Sequence, residues 1–330
     1  MSGWAGREVV VTGANGFLGS WLTAALVERG ARVTCLMKED LPLSVWSQRG
    51  LGARVQMVPG ILEDVGAMER LFEARPFEVC FHLAAQPIVT AAQADPRPTL
   101  EANVQGTWNL LEAARRRGGL AAIVVTTSDK VYGDAERLPY EEGDALLGRD
   151  PYEASKACAD ILAQTYFRTY GLPIGIARCG NFYGPGDLQW SRIVPGTIRS
   201  LVEGQRPVIR SDGTYVRDYF YVEDAVEAVL TLAERLEKPD VHGHAFNFGT
   251  ETPTRVLDVV AGLTRLAKRP DLAPLVLDEA RGEIRAQYLS CAKALRMLGW
   301  HHRTPLPEGL ARSWEWYVRF LAEHPEALSA

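Results

Sequence analysis

The sequence predicts an α/β protein with a doubly wound parallel sheet, followed by a smaller α/β lobe on its C-terminal side. From residue 8 to residue 178, short runs rich in β-branched residues alternate with longer amphipathic stretches. This alternation is typical of parallel βαβ units. After residue 178 it gives way to shorter elements and more turns. A chain of 330 residues, 47% of them hydrophobic, is long enough to bury one large core and a smaller second one.

Charge and cysteine content restrict the class of protein. A net charge of −5 argues against a nucleic-acid-binding surface, because such surfaces are basic. The five cysteines are odd in number, scattered and mostly set in apolar runs, which favours free thiols in a reducing compartment. No apolar run reaches the length of a membrane span, and the chain enters a strand without a signal segment. We therefore expect a cytoplasmic protein without membrane or nucleic-acid partners.

A glycine-rich turn follows the first predicted strand, which covers residues 8–12. An amphipathic helix runs from the turn to Arg29. Glycines let the backbone approach a pyrophosphate closely, and the helix N-terminus offers that group free N–H donors and the positive end of a dipole. The turn therefore predicts a dinucleotide site, with contacts from Gly13, Asn15, Gly16, Phe17 and Gly19.

The second strand, predicted over residues 32–37, should end near the adenosine ribose, where an acidic residue usually marks NAD. That position carries Met37, followed by Lys38, Glu39 and Asp40. Lys38 favours a 2′-phosphate, and the two acids oppose one. The choice between NAD and NADP stays open, with a lean toward NADP and with Lys38 as a cofactor contact.

Strands three and four are predicted over residues 55–59 and 79–83, and the fourth runs into small residues. Small side chains at a strand end let a cofactor lie close to the backbone. The next helical pattern contains Asn103 and stops at Gly118. We expect cofactor contacts from Leu83, Ala84, Ala85 and Asn103, and a substrate contact from Gln86.

Polar side chains end the fifth strand, which is predicted over residues 121–125. In a parallel sheet, ligands bind at the carboxyl ends of the strands. Thr126 is therefore predicted to contact the cofactor and Ser128 to hydrogen-bond a substrate oxygen. Asp129 and Lys130 follow as an adjacent acid and base.

Tyr152 and Lys156 lie four residues apart in a helix predicted over residues 151–170, so they share one face. A lysine held near a tyrosine lowers the pKa of the phenol toward neutral pH. Tyr152 is therefore expected to take a proton from a hydroxyl while hydride leaves the carbon. We expect Lys156 to orient the cofactor and to tune Tyr152.

The C-terminal half supplies positive charge for an anionic ligand. Arg217, within VRDYFYVED, is the best phosphate candidate, because a guanidinium can hold two phosphate oxygens. His242 and His244 have no acidic or cysteine partners at ligand spacing, so we expect no metal site. A last helix is predicted over residues 307–321. Substrate contacts are assigned to Asn181, Arg192, Arg217 and Arg281.

Seven segments occur in the order found in one known family: TGANGFLG, FHLAAQ, NVQGT, TTSDKVYG, YEASK, RCGNFYGPG and VRDYFYVED. On these segments the chain resembles the extended short-chain dehydrogenases/reductases of the nucleotide-sugar epimerase/dehydratase group. The resemblance implies a Rossmann-type NAD(P)-binding domain over residues 1–178, completed by segments returning from the C-terminal half. It assigns residues 179–330 mainly to a lobe that binds the sugar nucleotide.

The resemblance also implies tightly held NAD(P), a nucleoside-diphosphate hexose as substrate, and a triad of Ser128, Tyr152 and Lys156. It implies a homodimer, formed through a bundle of the helices around Asn103 and after Pro151.

Asp129-Lys130 is the pair that discriminates within this family. The 4-epimerases usually carry small or hydroxyl residues there, because they only oxidise C4 and reduce it from the other face. A 4,6-dehydratase must also remove the C5 proton and expel the C6 hydroxyl as water. The pair is similar to that of CDP-glucose 4,6-dehydratases and of inverting UDP-N-acetylglucosamine 4,6-dehydratases, and SCAKALRMLGW near the C-terminus also resembles the CDP-glucose group.

The resemblance therefore implies an NDP-hexose 4,6-dehydratase. Tyr152 would remove the O4 proton, and hydride would pass from C4 to the cofactor and return to C6. Lys130 would take the C5 proton, and Asp129 would protonate the departing O6.

Some positions depart from the CDP-glucose pattern. Ile61 stands where the family often has an aspartate near adenine, and residues 131–133 follow the general family pattern. CDP-glucose and GDP-mannose 4,6-dehydratases both remain models for this chain. The alternatives are a 4-epimerase and, from another class, a dinucleotide-binding regulator without turnover.

Overall fold

The computed structural model describes residues 3–279 and 283–328. The strands are β1 (Glu8–Thr12), β2 (Arg32–Met37), β3 (Gln56–Pro59), β4 (Val79–His82), β5 (Ala122–Ser128), β6 (Ile174–Cys179), β7 (Asn181–Tyr183), β8 (Val208–Ile209), β9 (Val216–Tyr221), β10 (Ala245–Phe248), β11 (Pro253–Arg255) and β12 (Leu275–Val276). The α-helices are α1 (Phe17–Glu28), α2 (Val45–Gln48), α3 (Val65–Glu73), α4 (Val89–Ala94), α5 (Pro96–Leu100), α6 (Gly106–Arg117), α7 (Pro151–Tyr170), α8 (Ile193–Val202), α9 (Val222–Arg235), α10 (Val256–Leu266), α11 (Ala292–Leu298) and α12 (Leu306–Glu323).

Seven strands form one sheet in the order β10-β6-β5-β4-β1-β2-β3, and their pairings are parallel. The chain moves outward from β1 to β3, returns to β4 beside β1, and continues outward to β10. This is a doubly wound, Rossmann-type sheet, so the predicted fold class is confirmed. Its switch point lies between β1 and β4, where such sheets bind ligands.

Helices cover both faces of this sheet. On one face Val9 packs in a cluster with Leu22 of α1. On the other face Val10 packs with Leu71 of α3 and Leu110 of α6. Because successive side chains of a strand point to opposite faces, a strand buried on both sides reads as a continuous apolar run.

The C-terminal half adds a second core. β11, β9 and β7 form a three-stranded sheet, and β12 pairs with β8. α8, α10 and α12 contribute Ile198, Leu263 and Tyr317 to one cluster next to β9. A smaller lobe is therefore present, while the boundary at residue 178 stays a prediction. No helix within the described ranges is both long and apolar enough to cross a membrane.

Two helices show how closely local signals place an element. α7 begins after Asp150, whose side chain forms a capping box with Glu153, and it ends at Gly171 with φ of 71°. Its bounds match the predicted 151–170. Asn103, by contrast, lies in a π-helical turn, Glu101–Gln105, that joins α5 to α6. The apolar period of that segment predicted a regular helix, and periodicity does not reveal a π turn.

A buried ion pair joins β6 to α7. Arg178 donates from Nε and Nη2 to the two carboxylate oxygens of Asp160, at 2.8 and 2.9 Å, and both side chains are almost fully buried. Arg178 also donates to the Tyr132 hydroxyl at 2.9 Å, and Thr127 donates to Asp160 at 3.3 Å. The pair therefore fixes α7 against the ends of β5 and β6.

We expect Asp160→Asn to lower the free energy of unfolding by about 3–5 kcal/mol, because Arg178 would remain buried without a counter-charge. Urea unfolding of the purified protein measures this change. The control is Asp258→Asn, since Asp258 forms an exposed pair with Arg255 at 2.8 Å and should cost less than about 1 kcal/mol. An equally small loss in both variants would contradict a structural role for the buried pair.

Candidate active site

The turn between β1 and α1 has the geometry of an anion cradle. Gly13 has φ of +74°, and a Cβ there would lie 2.7 Å from the Ala84 nitrogen; a Cβ on Gly19 would lie 1.9 Å from the Gly13 oxygen. Glycine is therefore required at both positions. Gly16 caps α1 without a side-chain hydrogen bond, so the first N–H groups of this helix remain available to a phosphate.

The neighbouring segments support this turn. Asn15 donates from its side chain to the Glu39 carbonyl at 2.6 Å, which ties the turn to the segment after β2. Phe17 is the first residue of α1 and packs against the core. Lys38 is exposed beside the exposed acid Glu39. The structure therefore places Lys38 at the end of β2, as the sequence predicted.

The segment after β4 lies against the same turn. The backbone nitrogens of Leu83 and Ala84 donate to the Thr12 carbonyl and hydroxyl, at 3.2 and 3.3 Å. Ala85 follows directly. Leu83 and Ala84, two of the residues predicted to contact a cofactor, therefore lie beside the end of β1 at the switch point of the sheet.

The side chain of Asn103 forms hydrogen bonds with other residues of the protein. Its carbonyl oxygen accepts from the Gln86 backbone nitrogen at 2.7 Å, and its amide donates to the Gln86 carbonyl at 3.1 Å and to the Ser155 hydroxyl at 2.9 Å. The Gln86 side chain bonds the Ile88 backbone. These bonds give Asn103 and Gln86 a clear role in holding this loop to α7; their predicted ligand contacts stay predictions.

Ser128, Asp129 and Lys130 meet where β5 ends in a 3₁₀ turn, Asp129–Tyr132. The Ser128 hydroxyl donates to Asp129 Oδ1 at 2.9 Å and accepts from the Lys130 backbone nitrogen at 3.2 Å. Asp129 is 1% exposed, and its Oδ2 has no hydrogen-bond partner among the described residues. One carboxyl oxygen is therefore left free for another group.

Burial pushes this acid and base toward their neutral forms. It raises the pKa of Asp129 above its usual range, although the Lys130 charge, the Ser128 hydroxyl and the Arg217 charge lower it. It lowers the pKa of Lys130, although the Asp129 charge raises it. A neutral carboxyl can donate a proton, and a neutral amine can accept one.

Tyr152 and Lys156 project from the same side of α7, but their electrostatics differ from the expectation. Burial and the Asp129 charge raise the pKa of Tyr152 to about 12, while Arg192 and the Ser128 hydroxyl lower it less. The prediction that Lys156 brings this phenol toward neutral pH is wrong for this structure. Burial lowers the pKa of Lys156 to about 8, and its Nζ donates to the Thr126 carbonyl at 3.2 Å.

Two of the predicted substrate ligands, Arg217 and Arg192, lie close enough to this cluster for their charges to lower the pKa of Asp129 and of Tyr152. Arg217 on β9 contacts Glu283 at 3.6 Å, and its charge lowers the pKa of both Asp129 and Lys130. Arg192 donates to Asp187 at 2.9 Å. The amide nitrogen of Asn181 is buried without a partner in the described part of the chain. Arg281 lies outside the described residues.

Two polar residues of this region carry details that the sequence did not reveal. Gln287 is fully buried and accepts from Lys130 Nζ at 3.2 Å. It lies 157 positions from Lys130 in an irregular segment, so no spacing signals it. Thr126 was predicted from its place after β5, but the sequence does not show that its buried Oγ1 lacks a partner in the described ranges.

Comparisons with known proteins place these features in a family. The chain matches the model of the NAD dependent epimerase/dehydratase family over residues 9–249. It is 32% identical to the CDP-glucose 4,6-dehydratase of Salmonella typhimurium, over 96% of this chain and 92% of that protein.

Solved structures of both enzyme types are similar to it. One is a UDP-glucose 4-epimerase of Thermotoga maritima (TM-score 0.88, 28% identity, 96% of this chain and 100% of that chain). Another is a dTDP-glucose 4,6-dehydratase of Streptomyces venezuelae with NAD bound (TM-score 0.86, 26% identity, 96% and 98%). The lean toward NADP finds no support in these relatives. From the family match, the chain belongs to the NAD-dependent epimerase/dehydratase family.

Proposed function

We propose that this protein is an NDP-hexose 4,6-dehydratase that uses NAD as a recycled cofactor. The observation that carries the proposal is the buried Asp129-Lys130 pair, in which burial favours a protonated acid beside an unprotonated base. A 4-epimerase has no use for such a pair, because it does no chemistry at C5 or C6. A dehydratase needs both groups.

Residues around the switch point fit NAD. Gly13, Gly16 and Gly19 would receive the pyrophosphate. The Thr126 hydroxyl, which has no hydrogen-bond partner among the described residues, and the Lys156 amine would face the nicotinamide end. Bound NAD would accept hydride from C4 of the sugar and return it to C6.

The protein's own groups would move the protons. Tyr152 takes the O4 proton, and because its pKa is about 12, its basic form becomes more abundant as pH rises toward that value. Ser128 hydrogen-bonds the same substrate oxygen. Lys130 takes the C5 proton, which the C4 ketone acidifies, and Asp129 gives its proton to the departing O6.

A panel of CDP-, GDP-, UDP- and dTDP-hexoses tests the function directly. CDP-glucose is the first choice, because a similar protein is a CDP-glucose 4,6-dehydratase. Mass spectrometry should show a product lighter by one water. A product of unchanged mass with inverted C4 would favour the 4-epimerase instead.

We also expect a homodimer formed through α6 and α7. Trp108 on α6 and Ile161 on α7 are 44% and 52% exposed, and large apolar side chains exposed on neighbouring helices favour a protein partner. Sedimentation should give the mass of two chains, and a monomer at micromolar concentration would contradict the expectation.

Substitutions of Asp129 and Lys130 separate the two half-reactions. Lys130→Met should still oxidise C4, so the absorbance of reduced nicotinamide should appear on mixing with substrate and persist, because the C5 base is missing. Asp129→Asn should also fail to lose water, while C5 still exchanges with D2O because Lys130 remains. If both variants completed the cycle at the normal rate, the pair would have no part in the chemistry and the epimerase function would take precedence.

Arg217→Ala should raise the substrate KM, with a loss of binding free energy of about 2–5 kcal/mol, if Arg217 holds the diphosphate. NAD affinity should hardly change. Arg255→Ala is the matched control. Arg255 lies on β11, next to β9 in the same small sheet, and it is an exposed arginine that pairs with Asp258. An unchanged KM in Arg217→Ala would contradict a role for Arg217 in holding the diphosphate.

A further inference from the structure

The Lys130 amine has one described hydrogen-bond acceptor, the side-chain oxygen of Gln287 at 3.2 Å. Gln287 is fully buried. Its Nε2 has no hydrogen-bond partner within the described residues. A buried donor without an acceptor destabilises a fold, and an apolar side chain of the same length would avoid that cost. The hydrogen bond that the amide oxygen accepts from Lys130 is therefore the best explanation for an amide at this buried position.

The backbone around Gln287 holds that oxygen in place. The Gln287 nitrogen donates to the Val216 carbonyl at 2.9 Å, and the Val216 nitrogen donates to the Arg285 carbonyl at 2.9 Å. On the other side, the Tyr140 nitrogen donates to the Tyr288 carbonyl at 3.0 Å. The segment is thus fixed between β9 and the chain at Tyr140.

We propose that Gln287 is a positioning residue for Lys130, whose amide oxygen holds the amine where it takes the C5 proton. The inference rests on the proposed dehydratase function. An N–H of the amine donates to Gln287, which leaves the nitrogen lone pair free to accept the proton. The sugar nucleotide itself need not touch Gln287.

The chemistry of the site favours an amide over a carboxylate at this position. Burial and the Arg217 charge lower the pKa of Lys130, whereas the charges of Asp129, Glu153 and Glu283 raise it. A neutral oxygen accepts from the amine in either protonation state and adds no negative charge. A glutamate at position 287 would stabilise the ammonium and so disfavour the neutral amine that acts as the base.

Two substitutions test the proposal, with a hexose nucleotide that the wild-type enzyme converts. Gln287→Met keeps the length of the side chain without the amide. It should slow deuterium incorporation at C5 in D2O by about 10- to 100-fold, the effect of a misplaced group, while reduced nicotinamide forms at the wild-type rate and KM is unchanged. Tyr288→Phe is the matched control on the adjacent residue and should leave all three readouts unchanged.

Gln287→Glu should change the pH dependence. Lys130 accepts a proton only when neutral, so C5 exchange rises with pH through the pKa of Lys130. A carboxylate raises that pKa, so the rise should move to higher pH while C4 oxidation keeps its profile. A change in stability alone would not move the pH at which C5 exchange rises.

The outcomes separate the two claims. Two results would overturn the role of Gln287 and leave the dehydratase intact. One is a wild-type rate of C5 exchange in Gln287→Met, and the other is a rise of C5 exchange in Gln287→Glu at the same pH as in the wild type. If Gln287→Met is too unstable to assay, the profile of Gln287→Glu decides alone. A wild-type enzyme that oxidises C4 without C5 exchange or water loss would overturn the dehydratase, and this inference with it.

Discussion

The burial of a carboxyl beside an amine is the constraint on which the rest of the site depends. In water Asp129 and Lys130 would both be charged, and neither could act as the acid or the base of the proposed dehydration. Desolvation disfavours the charged forms, and it raises the pKa of Asp129 while lowering that of Lys130. The same residues on an open surface would be an ordinary ion pair.

Several parts of the fold maintain that burial. β5 ends at Ser128, whose hydroxyl bonds the Asp129 carboxyl. The Arg178-Asp160 pair fixes α7 across the strand ends, and α7 carries Tyr152 to the same place. Gln287, in the C-terminal half of the chain, accepts a hydrogen bond from the Lys130 amine. Residues far apart in the sequence are thus needed to bury one acid and one base.

The sequence predicted the fold, and the elements that carry most candidate site residues, because both depend on local or periodic signals. Alternating strands and helices define a doubly wound sheet, and the glycine spacing after β1 marks the turn. Pro151 in the first turn and Gly171 just after the last turn marked the bounds of α7. The pKa of Tyr152 was predicted in the wrong direction, because spacing shows that a lysine is near but does not show how deeply the phenol is buried.

Gln287 was missed for a different reason. Its contact with Lys130 depends on how an irregular segment pairs with Val216 and Tyr140, and neither periodicity nor a motif encodes such a pairing. The π-helical turn at Asn103 was also not predicted, because the spacing of apolar residues is the same as in a regular helix. Long-range pairing and burial thus account for what the sequence did not predict in this site.

The path of one hydrogen atom tests the central claim most directly. A hexose nucleotide labelled with deuterium at C4 should give a 4-keto product whose deuterium lies in the C6 methyl group, as NMR would show, because the proposed dehydratase returns to C6 the hydride that it takes from C4. Deuterium recovered at C4 of a product with inverted configuration would contradict the account and assign the site to epimerisation.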